Sequence, residues 1–80
     1  MDEQLLEEFS EQVHNTWMEN KRNAGVTSRK LDTTGEELLR PYSELSESAK
    51  DLDRSSVKAV LSAIEAAGYT IVRAAKYKAD

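Results

Sequence analysis

Leu5, Phe9, Val13 and Trp17 recur every four residues, with Leu6 beside them and polar positions between. That spacing puts the apolar side chains on one face of an amphipathic helix. Asp2 is a good N-cap, and Glu3 adds negative charge where the helix dipole favours it. Asn20, Asn23 and Gly25 weaken the far end, and Gly25 supplies the left-handed residue that closes a helix. The pattern predicts a first helix from Glu3 to Ala24. Residues 26–34 are polar with no sustained period and read as loop. Glu36 to Leu39 can form a helical turn, but Pro41 disfavours α geometry at Arg40. Leu38, Leu39, Tyr42 and Leu45 are expected to fold this connection onto the helices. Ser46 is the next N-cap, with Glu47 in the first turn and Leu45 just before the cap. Val57, Val60, Leu61 and Ile64 then make a second apolar stripe, which Gly68 ends. Asp53 or Ser55 offers another helix start, so a break near Leu52 stays open. Residues 69–72, Tyr-Thr-Ile-Val, are β-prone and predict a short C-terminal strand. The fold class is therefore mainly α: a small antiparallel helix pair with a long extended connection and a short strand.

Eighty residues make a single domain, residues 1–80, with a core over about 3–72 and a polar, alanine-rich tail at 73–80. A chain this short buries only about 60–65% of the surface its unfolded form exposes. It has no cysteine, so neither a disulfide nor a thiolate metal site adds stability. Association with a second copy would supply more buried area.

Fifteen acidic residues against eleven basic ones give a formal charge of −4, which disfavours general binding to a nucleic-acid backbone. Lys21, Arg22, Arg29 and Lys30 flank one loop, and Arg73, Lys76 and Lys78 lie near the end; both groups read first as solvated charge. The opening residues are acidic where a secretory signal would begin basic, and no apolar run is long enough for a membrane. A cytoplasmic protein that does not enter membranes is expected.

Little points to catalysis or metal. His14 is the single histidine. It lies about 100° around the helix from Val13, at the edge of the apolar face. It fits a hydrogen bond to the facing loop, a ligand contact or, least readily, an acid–base role. Asp51 with Asp53, and Glu7, Glu8 and Glu11, match no metal-ligand pattern. The three glycines are too far apart for a phosphate-cradling loop. Trp17 reads as core, with a pocket-lining role as the alternative, because its indole N–H needs a partner. Tyr42 reads as a loop anchor with its hydroxyl at the surface. Asn15 is unusual in a helix interior. It is either chance surface placement or a hydrogen-bonding group.

The ordered series, taken together, resembles the RyR domain, the repeat of ryanodine receptor channels that also occurs alone in bacterial and phage proteins. The pieces are Val13-His14-Asn15-Thr16-Trp17, Gly25, Leu39-Arg40-Pro41-Tyr42-Ser43-Glu44-Leu45, Lys50, Asp53-Arg54 and Gly68-Tyr69-Thr70-Ile71. The chain departs from the family where many members carry Trp-x-Tyr-Gly after the glycine; Val26-Thr27-Ser28-Arg29 stands here. The usual His-Pro before the aliphatic pair is replaced by Glu36-Glu37. A second aromatic for stacking a flat ligand is thus missing from its usual place.

The resemblance implies a non-enzymatic module without a cofactor. In the receptors the repeats come as two-fold-related pairs on the cytoplasmic side, which implies a homodimer for a single copy. Adenine-nucleotide-type ligands are a recurring family suggestion. The leading expectation is a sensor or sequestering protein for a small anionic ligand, a nucleotide or cyclic dinucleotide. Its expected contacts are His14, Asn15, Trp17, Arg40, Tyr42 and Arg54, with the arginines pairing to phosphate through their forked donors. The alternative is a dimeric module that docks on a larger protein partner and takes no small ligand.

Overall fold

The computed structural model describes residues 3–74. Helix α1 spans Glu3–Asn23 and helix α2 spans Glu47–Ala66; a 3-10 turn, Tyr42–Glu44, lies in the connection between them. The expected Asp2 cap and the tail beyond residue 74 lie outside the described residues. Glu3 in the first turn of α1 and Lys21 and Arg22 in its last complement the dipole. Gly25, at φ 78°, ends the helix: its N–H donates to the Arg22 carbonyl (3.0 Å) and the Val26 N–H to the Lys21 carbonyl (2.9 Å). At the start of α2 the Ser46 hydroxyl accepts from the Ala49 N–H at 3.2 Å. No break occurs near Leu52, because α2 continues in one piece to Ala66. Its C-terminus repeats the glycine motif, with the Tyr69 N–H donating to the Ile64 carbonyl (3.0 Å).

The helices run antiparallel. Leu5 near the start of α1 meets Ile64 near the end of α2, and His14 meets Asp53. The first cluster of the core is Leu6, Val57 and Leu61, with Leu5, Phe9 and Ile64 packed around it. Each fully buried aliphatic side chain contributes about 1.5–3 kcal/mol. The second cluster is Tyr42, Leu45 and Ala49 with Leu38, and it holds the connection down.

Two expectations are corrected. The buried line of α1 is Leu6, Ser10, His14 and Met18, one residue around the helix from the apolar stripe read in the sequence. Val13 is 44% exposed, and Trp17 is half-buried rather than core. The line turns because α2 and the connection both pack against α1, and His14 contacts both of them. The C-terminal strand does not form among the described residues. Residues 69–74 are irregular, since no neighbouring strand offers them a ladder; the isolated bridge joins Lys30 and Glu37 within the connection. Tyr69 is well exposed.

The connection, long and poor in regular structure, is built around two carboxylates. Glu37 accepts from the Arg29 N–H (2.8 Å), the Leu39 N–H (3.0 Å) and the Ser28 hydroxyl. Glu36 accepts from the Ser46 N–H (2.8 Å), the Ser46 hydroxyl and Arg40 Nη2 (2.9 Å). These acids satisfy backbone donors that a helix or sheet would otherwise pair.

Candidate functional site

His14 ties all three parts of the fold together. It is 3% exposed. Its Nε2 lies 2.8 Å from the Arg40 carbonyl, and its Nδ1 lies 3.5 Å from Asp53 Oδ2 on α2. A carbonyl only accepts, so Nε2 carries the proton. The Trp17 ring stacks on the imidazole at 5.6 Å between centroids, and the Tyr42 ring stands 6.1 Å away on a tilt. His14, Trp17 and Asp53 border a pocket of about 200 Å³. His14 and Asp53 supply its polar atoms, and Trp17, Leu38, Leu45, Ala49 and Leu52 its apolar wall. Leu52 is half exposed at the rim. Burial pushes the Asp53 carboxyl up from its ordinary value, against the pull of His14.

The other expected contacts are placed differently. Tyr42 is buried, and its hydroxyl is not at the surface: it donates to Glu7 Oε1 at 3.1 Å. Arg54 lies about two turns into α2, past the dipole of its first turn. Its Nε and Nη2 form a fork on Glu7 at 2.7 and 2.8 Å, and Nη1 reaches Glu47 at 3.0 Å and Asp51 at 2.9 Å. Arg40 contributes its carbonyl to His14, while its guanidinium pairs with Glu36. Asn15 is exposed and does not line the pocket. The pocket therefore gathers His14 and Trp17 from the expected set, with Arg40 and Tyr42 supporting His14 from outside.

Among the described residues no group of three or more His, Cys, Asp or Glu side chains is arranged to hold a metal ion. Nor is any described helix long and apolar enough to cross a membrane.

The sequence model of the RyR domain matches residues 1–73 of the chain. The chain belongs to the RyR domain family. No curated protein sequence matches it. Within this RyR domain the residues that sequence reasoning gave no structural or site role are Glu7, Glu36, Glu37 and Asp53. For Glu36 and Glu37 a signal existed: they stand where the family pattern has other residues, and both are hydrogen-bonding centres of the connection.

Those acids predict an acid-sensitive fold. The Arg54 fork holds Glu7 below its ordinary value, and the Ser46 hydroxyl and N–H do the same for Glu36. The Ser28 hydroxyl, with the Arg29 and Leu39 N–H groups, brings Glu37 from 4.5 to about 2. A carboxylate lowered by folding stabilises the native state fully above its unfolded pKa, and that stability drains as pH falls through the folded value. Asp53 runs the other way and offsets part of the loss. The melting temperature should thus fall as pH drops from about 4.5 towards about 2. Glu37→Gln should melt lower at neutral pH and show a shallower acid slope, read by circular dichroism. An unchanged slope in that variant would mean that Glu37 does not organise the connection.

Proposed function

We propose that this RyR domain is a non-enzymatic, cytoplasmic binding module whose ligand enters the pocket beside Trp17. A nucleotide or cyclic dinucleotide is the proposed class, and sensing or sequestration the proposed role. The carrying observation is the conjunction of a half-buried indole, an apolar wall and two convergent polar groups in one recess, the usual make-up of a small-molecule site. The recess is smaller than the roughly 300–1,000 Å³ of drug-sized sites, so it takes one part of the ligand, such as a base. His14 acts by shape and hydrogen bonding; its ring lies inside the fold with Nε2 held by the connection.

The test is a thermal-shift and Trp17 fluorescence titration with ATP and cyclic di-AMP. A ligand that binds only the folded form raises the melting temperature with concentration. Trp17→Ala, at a half-buried position, should keep the helical spectrum and lose the response. If neither compound moves the melting temperature or the fluorescence, the nucleotide class is wrong.

A second reading has its own observation. Phe9, Val13, Val57, Val60, Leu61 and Ile64 line a groove of about 250 Å³ between the helices, and Val13 and Val60 are 44% and 59% exposed. An apolar face of this kind suits a homodimer or a larger protein partner. Light scattering at micromolar concentration should report twice the 9.0 kDa of one chain, and Val60→Asp should restore the single mass. A single-chain mass in the unmodified protein would remove the dimer.

A further inference from the structure

We infer that Asp53 selects what enters the pocket: the ligand part that binds there carries an N–H donor or a positive charge, as an amidinium or a heteroaromatic amine does. The inference rests on the pocket beside Trp17 being a ligand site, and it reverses the polarity expected from the sequence, where arginines were to greet a phosphate.

Three observations support it. First, the Asp53 side chain keeps 21% exposure at the pocket, and its polar contact among the described residues is His14 Nδ1 at 3.5 Å. That distance is too long for a good charge-assisted bond. Because Nε2 donates to the Arg40 carbonyl, the Nδ1 of a neutral His14 is itself an acceptor. A neutral imidazole there gives Asp53 no donor, and a protonated one reaches it only at 3.5 Å, so the carboxylate keeps accepting capacity at the pocket. Second, the arginines and the lysine around the site are committed elsewhere, which leaves His14 as the one group of possible positive charge at Asp53 among the described residues. Arg54 binds Glu7, Glu47 and Asp51; Arg40 binds Glu36; Lys50 lies over the Tyr42 ring at 5.3 Å and pairs with Glu47. An anionic group in the recess would meet a carboxylate with no lysine or arginine paired to it among the described residues. Third, the wall suits a flat cation. Trp17 lines the recess as an aromatic group that attracts cations, and the leucines lower the local dielectric, which strengthens a carboxylate–amidinium contact.

The experiment titrates the full chain with benzamidinium chloride and, separately, sodium benzoate, two probes of one shape and opposite charge. Backbone and indole N–H signals are followed by two-dimensional NMR. Benzamidinium should shift the Trp17 indole and the amides around Asp53, and bind about tenfold or more tightly than benzoate, the ratio that one charge-assisted hydrogen bond supports. Asp53→Asn should abolish that preference. Leu52→Lys alters an exposed rim position, places an ammonium beside Asp53, and should weaken benzamidinium binding about as much. It also keeps the test decisive if Asp53→Asn fails to fold. Equal binding of the two probes at the Trp17 signals would overturn the selectivity and leave the pocket as a ligand site. No shift with benzamidinium in a folded protein would overturn it as well, and the nucleotide titration then judges the pocket separately.

Discussion

Replacing Tyr42 by alanine is expected to lower the unfolding free energy by about 3–5 kcal/mol, the range for emptying a buried aromatic site. The ring is 6% exposed and forms the centre of the second core cluster with Leu45 and Ala49. It also stands against His14, and its hydroxyl reaches Glu7 on α1. Without it the connection loses its apolar attachment and His14 loses one wall. Tyr42→Phe separates the two contributions. It keeps the packing and drops the hydroxyl, while Glu7 stays engaged by Arg54, so the cost should be about 1 kcal/mol. Urea unfolding of both variants checks this. Equal losses would show that the hydroxyl, and not the ring, holds the connection.

Arg54→Ala should cost about 2 kcal/mol, the order of a hydrogen bond to a charged group, reduced for the solvent reaching Glu7. The Arg54 side chain is 17% exposed and Glu7 43% exposed, whereas Glu47 and Asp51 are 74% and 65% exposed and add little. The effect should therefore reside in the Glu7 fork. A double-mutant cycle with Glu7→Gln isolates it. Arg54→Lys should recover only part of the loss, since an ammonium cannot make the two parallel bonds. A coupling energy near zero would reduce this pair to surface decoration. From the sequence, Arg54 is an anion contact of little structural weight; the structure makes it a fastening between α1 and α2.

The parts of the fold governed by local chemistry were legible in the sequence. Ser46 before Glu47, and Gly25 and Gly68 after apolar stripes, set helix ends because capping depends on a few adjacent residues. The direction of α1 was not legible to within one residue. Periodicity weighs side chains by apolarity, and the buried line contains a serine and a histidine that only the packing of the connection and α2 explains. Residues 69–72 looked like a strand because β propensity reports side-chain shape, while a strand also needs a neighbour. In the site, Trp17 and His14 stood out by type and spacing. Asp53 did not, because a carboxylate on a helix is ordinary until the fold sets it at a pocket beside a buried histidine. Arg40 and Arg54 misled for a related reason: a cation is free to bind phosphate only if no nearby acid has taken it, and the acid that forks with Arg54, Glu7, lies 47 residues away.

That distance shapes how the chain is made. Glu7 finds Tyr42 35 residues downstream and Arg54 47 residues downstream. During synthesis α1 leaves the ribosome first, an amphipathic segment with Leu6 and Phe9 uncovered and no partner. Tyr42 and the Arg40 carbonyl can reach it once the connection emerges, and the Arg54 fork closes only after the start of α2 follows. Contacts so distant along the chain form late because loop closure precedes any gain from them. Until those contacts close, α1 exposes an apolar surface of the kind that makes incompletely folded chains prone to association.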